Sequence, residues 1–431
     1  MIKTIDYNRE GAEMLQKRIK RGESDNTSAQ IIVDEIIREV KAKGDEAVLK
    51  YTERFDGVSL TPETMRVTAA EIDEAMASVS SSLIDVFKRS YERLVGFHEK
   101  QKAESWFETK PSGEIMGQLI RPIERCAVYV PGGKAPYPAS VLMNLAPAKV
   151  AGVGQVVMAA PPGENGKIAA VTLAAACTAG VDEIYKIGGA QAIGALAYGT
   201  QTIPKVDKIT GPGNIYVQLA KKIVFGEVGV DCIAGPSEVL VLADQGARPD
   251  YVAADMLSQA EHDEMASAIL VTDCQELAEA VKIELEKQTA KLSRKDTIIK
   301  SLADYGAIII VEDIKQGAMI SNLIAPEHLE LAVDEPFSVL PLIQNAGAIF
   351  LGHYTPEPLG DYMAGSNHVL PTGGTARFFS ALSVSDFTKK SEIISFSKEA
   401  LSLLADDIVM FAEAEGFTAH AASIKVRQGT L

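Results

Sequence analysis

Residues 145–158 read LAPAKVAGVGQVVM, and residues 173–186 read LAAACTAGVDEIYK. Each is a small-residue helix pattern that turns at Ala-Gly-Val and runs into a strand, Val156-Val157-Met158 in one copy and Ile184-Tyr185-Lys186 in the other. The unit recurs after 28 residues, from Leu145 to Leu173. Continuous apolar strands alternating with Ala-rich helices need both faces of a sheet covered, the pattern of a parallel α/β sheet. A related cadence returns at Tyr305-Gly306-Ala307-Ile308-Ile309-Ile310 and at Ala346-Gly347-Ala348-Ile349-Phe350, which predicts a second α/β domain.

Working outward from this repeat, residues 28–54 carry Ile31, Val33, Ile36, Ile37 and Val40 at helical spacing, and 62–101 repeats the style after Thr61-Pro62. Both stretches predict amphipathic helices. Residues 104–130 shift to short runs broken by Pro and Gly, read as strands ending at Val128-Tyr129-Val130 before the turn at Pro131. The stretch 389–431 turns charged and helical and reads as an arm.

Composition narrows the function classes. The chain has 431 residues and a net charge of −16, leaving no basic footprint for nucleic acid or anionic lipid. The opening MIKTIDYNRE lacks the apolar stretch of a signal peptide, and no run approaches the roughly 18 apolar residues of a bilayer span, so a cytoplasmic location is expected. Cys126, Cys177, Cys232 and Cys274 show no CxxC spacing and read as small hydrophobes.

Neither GxGxxG after a strand nor GxxxxGK[ST] occurs. Three other glycine loops do: Tyr129-Val-Pro-Gly-Gly133, Gly188-Gly-Ala-Gln-Ala-Ile-Gly194 and Thr210-Gly-Pro-Gly-Asn214. Ordinary tight turns explain each one more readily than a ligand cradle does, but three within one α/β domain point to a cleft. Metal chemistry rests on Gln259, His262, Asp361 and His420. If 251–262 continues as a helix, Gln259 and His262 share a face at i and i+3, and Asp361 follows Leu359-Gly360 in a Pro-rich loop. Nitrogen and oxygen donors of this kind suit zinc, although lone histidines are commonly satisfied by hydrogen bonds. Glu327 and His328 follow Ala325-Pro326, in a loop or first helical turn. They fit an acid/base pair, or a helix start whose Glu complements the dipole.

Taken together, SQAEHD at 258–263, GPGN at 211–214, AGPSE at 234–238, APEHLEL at 325–331, GDYMAGSNHVLPTGGTAR at 360–377 and AEGFTAHA at 414–421 resemble the histidinol dehydrogenase family over essentially the whole chain. The resemblance implies two NAD-dependent oxidations of L-histidinol to L-histidine through L-histidinaldehyde, the last step of histidine biosynthesis, by a homodimer with one zinc ion per subunit. It implies Gln259, His262, Asp361 and His420 as zinc ligands and Glu327 and His328 as acid/base residues. NAD contacts would fall at Tyr129, Gln191 and Asn214, and substrate contacts at Ser237, Gln259, His262, His328, Asp361, Glu415 and His420. His420 and Glu415 would cross to the partner subunit. Cys232, Pro358 and Phe379 depart from the family pattern without touching a proposed ligand or base.

The implied fold is two related, incomplete Rossmann-like domains with parallel sheets, a small N-terminal helical segment and a C-terminal helical arm. The expected limits are 1–24 for the helical segment, 25–237 for an NAD-binding domain with an interruption near 108–128 left open, 238–388 for a domain carrying metal and acid/base residues, and 389–431 for a dimerisation arm. A related zinc/NAD dehydrogenase of another small polar alcohol, or a non-redox zinc hydrolase, are the competing readings. Glu415 and His420 disfavour the former; Tyr129, Gln191 and Asn214 disfavour the latter.

Overall fold

A computed structural model describes residues 2–9, 27–132, 136–233 and 235–429. Its strands are β1 (Lys3–Asp6), β2 (Trp106–Thr109), β3 (Glu114–Pro122), β4 (Arg125–Tyr129) and β5 (Gln155–Ala159). Next come β6 (Glu183–Tyr185), β7 (Lys208–Thr210), β8 (Gly229–Val230), β9 (Glu238–Ala243) and β10 (Ser267–Thr272). The last are β11 (Ala307–Ile310), β12 (His328–Ala332), β13 (Ala348–Leu351) and β14 (Thr388–Phe396). The chain forms two compact units, one of residues 1–101 and 123–387, the other of 102–122 and 388–431.

The larger unit holds two parallel sheets, ordered β6-β5-β4-β7-β8 and β1-β11-β10-β9-β12-β13. Apart from the edge strand β1, each is wound from its centre: the winding starts at β4 and at β9, the next two strands step to one side, and the chain returns to the other side. The order therefore reverses between β4 and β7, and between β9 and β12, where a crevice opens in folds of this winding. Alternation along the strands buries both faces. Cys126, Val128, Val156 and Met158 enter one core, while Ala127, Tyr129, Val157 and Ala159 enter another. Val239, Val241, Leu270 and Ile308 are likewise opposed to Leu240, Leu242, Ile269 and Ile309 in the second sheet.

The Ala-Gly-Val corners have one geometry. After the helix Pro138–Ala151, Gly152 N–H donates to Lys149 O and Val153 N–H to Ala148 O; after Ala170–Thr178, Gly180 N–H donates to Cys177 O and Val181 N–H to Ala176 O. Both glycines sit at positive φ, 83° and 73°, so each corner is a Schellman stop that only glycine enters without strain.

Several expectations are corrected. Residues 28–54 form two helices, Thr27–Lys43 and Asp45–Asp56, broken at Gly44 with φ 59°. Val33, Ile36, Ile37 and Val40 are buried as the spacing requires, but Ile31 is 62% exposed, on the helix face opposite Val33 and Val40. Residues 62–101 form the helices Pro62–Met65, Ala69–Ser78 and Ser81–His98, because Thr68 and Ser80 cap new starts by accepting from Glu71 N and Leu83 N. Lys3–Asp6, inside the segment expected to be helical, pairs in parallel with β11 and covers that strand's open edge. Residues 10–26, most of that segment, lie outside the described residues.

The smaller unit is an antiparallel sheet ordered β14-β3-β2 with the helices Lys398–Ala414 and Thr418–Gln428. Residues 102–122 thus leave the first Rossmann-like domain, and the expected helical arm begins with a strand. The nine-residue antiparallel ladder between β3 and β14 is what takes both away from the parallel sheets. Among the described residues no helix is long and apolar enough to cross a membrane.

Candidate active site

A cleft of about 1910 Å³ in the larger unit joins the C-terminal edge of the first sheet to the N-terminal edge of the second. On the first side lie Tyr129 at the end of β4, Gln191, and the Gly211–Asn214 loop after β7; on the other lie Ser237, His262, Glu327, His328, Asp361 and His368. Gly133, the last residue of the first glycine loop, is outside the described residues.

The first side is built from tightly held backbone. Tyr129 is buried, and its hydroxyl accepts from Gly189 N–H at 3.0 Å. Burial pushes the phenol up to about 12, so it stays protonated and can donate into the cleft. Gln191, 1% exposed on the helix Gly189–Tyr198, leaves its Oε1 buried without a partner. Asn214 caps the helix Ile215–Val224, its Oδ1 accepting from Tyr216 N and Val217 N at 3.1 and 3.2 Å. This occupies the carbonyl of the amide and frees the NH₂ for a ligand. Gly211, with φ 114°, lies against the chain at Tyr129, where an added Cβ would meet the Tyr129 carbonyl oxygen at 2.1 Å. Lys221, fully buried, donates to Gly211 O at 3.0 Å and is ion-paired with Asp231, whose Oδ2 accepts Gly211 N–H at 2.8 Å. One buried pair thus fixes both polar groups of the glycine at the reversal point of the sheet.

The second side is organised by Glu238, the first residue of β9, which the sequence reading passed over within AGPSE. Its N–H donates to Glu327 Oε2 at 2.8 Å, and its carbonyl accepts from His328 Nδ1 at 2.9 Å. Because a carbonyl can only accept, Nδ1 carries the ring proton and Nε2 presents its lone pair. Nε2 is buried without a hydrogen-bond partner, 3.7 Å from Glu357 Oε1, which is equally orphaned. Burial drives His328 down to about 4 against the opposing charge of Asp361, so the imidazole is neutral. Burial holds Glu327 well above the ordinary carboxyl range despite the Glu238 hydrogen bond. Glu327 and His328 are therefore not at a helix start. Ala325 ends the helix Ile314–Ile324 with φ 53°, the one non-glycine positive φ among the described residues, and turns the chain directly into β12.

The candidate metal donors are placed differently from the spacing argument. The helix ends at Ala260, and His262 lies beyond it, held by its N–H donating to Gln259 O at 3.2 Å, so a continued helical face does not align the two. Asp361 sits in the short helix Glu357–Tyr362 rather than in a loop. Gln259 is fully buried, with neither Oε1 nor Nε2 partnered. Burial lowers the His262 pKa against the raising charge of Asp361. Burial would raise Asp361, but the charge and contact of His368 hold it below the usual carboxylate range. His368 Nδ1 stands 3.2 Å from Asp361 Oδ1, at ion-pair distance but without hydrogen-bond alignment. Among the described residues, two groups of three carboxylates and imidazoles have donor atoms within 4.8 Å of one another: His328, Glu357 and Asp361, and, elsewhere, Asp244, Asp334 and His353. Glu357, 2% exposed and raised by burial and then by Asp361 to about 9, was not singled out from sequence; neither was His368. Their signals were the Glu four residues before Asp361 and the His within GSNHVLP.

Glu415 closes the helix Lys398–Ala414 and His420 lies in Thr418–Gln428, both in the smaller unit. Both residues are exposed, and the Phe417 ring lies 5.1 Å from the His420 ring.

Paired parallel sheets joined by one cleft, with glycine loops on one wall and a neutral buried histidine on the other, define a Rossmann-like α/β enzyme equipped for proton transfer. The chain belongs to the histidinol dehydrogenase family: the model for histidinol dehydrogenase matches residues 19–428. It is 54% identical to the histidinol dehydrogenase of Syntrophotalea carbinolica over 95% of both chains, and 54% identical to that of Geobacter metallireducens over 99% of this chain and 97% of that one. The crystal structure of histidinol dehydrogenase from Elizabethkingia anophelis superposes with a TM-score of 0.94 at 38% identity, covering 100% of this chain and 98% of the other.

Proposed function

We propose that this dehydrogenase of histidine biosynthesis oxidises L-histidinol to L-histidine through L-histidinaldehyde in the cytoplasm, with two NAD as hydride acceptors and one zinc ion per subunit. The observation that carries the reading is the free, buried Nε2 of a neutral His328 facing the cleft.

The donors fit zinc. Gln259 offers an orphaned amide, His262 an imidazole kept neutral by burial, and Asp361 an ionised carboxylate, a nitrogen and oxygen set suited to that ion. His420 of the partner subunit would complete the set, and Glu415 would reach the substrate with it across a homodimer. Zinc, when bound, would fix the substrate through its nitrogens and leave acid/base work to side chains. Tyr129, Gln191 and Asn214 would hold NAD, which takes hydride from the substrate carbon.

His328 Nε2 receives the hydroxyl proton as hydride departs, and the Nδ1–H bond to the Glu238 carbonyl steadies the resulting imidazolium. Enclosure retains the aldehyde. Glu327, with Oε2 tied to the Glu238 N–H, uses its other oxygen to take a proton from water adding to the aldehyde. His328 releases its first proton to solvent and then serves a second time, Nε2 taking the proton of the hydrated aldehyde as it gives up hydride. Ser237 and Asp361 contact the substrate from the cleft wall.

Purified protein with added zinc is expected to form two NADH per L-histidinol, to slow on chelation, and to prefer L-histidinol to other amino alcohols. One NADH per substrate, or equal rates across the panel, would contradict the reading.

A further inference from the structure

Asp56 closes the helix Asp45–Asp56, with Gly57 in the left-handed conformation behind it, and stands on the cleft wall with Tyr129, Gly189 and Gln191. A carboxylate at the C-terminal end of a helix opposes the macrodipole. Its Oδ2 is also buried and accepts no hydrogen bond. Burial raises its pKa to about 6, and no neighbouring cation offsets that. Three other acids on this wall are neutralised: Glu71 by Lys186 at 2.7 Å, Glu74 by Lys167 at 2.6 Å, and Asp231 by Lys221. Arg54, the adjacent cation, lies over the Phe55 ring, 5.2 Å from its centroid. Asp56 thus opposes its own helix and lacks a partner, which calls for donors that arrive with a ligand.

The ligand of this wall, on the reading above, is a dinucleotide, and its paired donors on adjacent atoms are ribose hydroxyls. In sheets of this winding an acid that accepts from the ribose diol selects NAD, whereas a 2′-phosphate needs a cation. The usual place for that acid is just past the second strand. Here β5 ends in Ala159, and the first acid beyond it, Glu164, follows only after Ala160-Pro161-Pro162-Gly163 and is exposed where it lines the cleft, unlike the buried Oδ2 of Asp56. Phe55, 49% exposed and held between Tyr51 at 5.8 Å and Arg54, supplies apolar area beside Asp56 for a base to cover.

We propose that Asp56 is a specificity residue: its carboxylate receives the vicinal hydroxyls of the cofactor's adenosine ribose and excludes a 2′-phosphate. The proposal rests on the NAD reading and deepens it. The test is steady-state oxidation of L-histidinol by the zinc-loaded full-length enzyme with NAD and with NADP, together with inhibition by ADP-ribose and by its 2′-phosphate. Asp56→Asn is expected to raise KM for NAD by about tenfold, with the loss falling on KM rather than kcat, and to narrow the NAD-to-NADP ratio of kcat/KM by about tenfold or more. Asp56→Glu, which keeps the charge but moves it, should lose NAD affinity without gaining NADP, and it covers the case in which the neutral variant does not fold. An unchanged cofactor ratio in Asp56→Asn, or equal losses with both cofactors, overturns the assignment of Asp56. Absence of NADH formation by the wild-type enzyme would instead overturn the underlying NAD reading.

Discussion

His328 is neutral because burial forbids the charge and because a backbone carbonyl claims the proton on Nδ1. His328→Ala is expected to lower turnover of L-histidinol by about 10²–10⁴ while zinc content stays near wild type, checked by NADH formation and metal analysis. Asp56 allows a prediction about pH. Between its ordinary value of 3.8 and about 6, the folded chain keeps a proton on Asp56 that the unfolded chain has released. Stability therefore falls as pH rises through that window. Asp56→Asn should melt at a higher temperature than wild type above pH 6, with the gain shrinking towards pH 4, as calorimetry across pH would show. A group that weakens the fold while serving the ligand is a familiar trade. At this scale the sequence made the pair Glu327-His328 legible, since both side chains are adjacent in the chain. Glu238 could not be read in the same way, because it acts through its backbone N–H and carbonyl, and any residue type supplies those. Glu357 escaped because its place beside His328 depends on where β12 and the short helix Glu357–Tyr362 after β13 converge, a distance that spacing along the chain does not encode.

Among the elements, the two Ala-Gly-Val corners were readable because their hydrogen bonds are local to a few residues and require glycine. The run at 28–54 was readable as helix but not in its limits. Periodicity marks which residues can face a core, whereas what covers them is decided by distant chain. Ile37 and Ile31 separate the two effects. Ile37→Ala is expected to destabilise by about 2–5 kcal/mol, and Ile31→Ala to change stability by no more than about 0.5 kcal/mol, measured by urea unfolding. Equal effects would mean that the first helix packs on a different face. The strand Thr388–Phe396 was hidden for a related reason: its charges suggested a solvated helix, and only its antiparallel pairing with β3 reveals the ladder.

At the scale of the whole molecule, the two sheets share a winding but present opposite edges to the cleft, glycine loops from strand ends in one and acid/base residues from strand starts in the other. If His420 serves the partner's site, mixing inactive His420→Ala and inactive His328→Ala chains should restore roughly a quarter of wild-type activity once subunits exchange, since half the dimers are mixed and each holds one intact site. Mass spectrometry of the mixed species would confirm exchange, and no recovery with exchange complete would refute sharing. The pairing of β1 with β11 bears on how the protein is made. Lys3 lies opposite Ala307, so the strand leaves the ribosome long before the partner that holds it. Until then it has no ladder to join, and the second sheet gains this edge only after most of the polypeptide has been translated. A truncated nascent chain ending before residue 307 should therefore leave its N-terminal strand open to proteases, while the β4 to β7 ladder can already close around the first glycine loops.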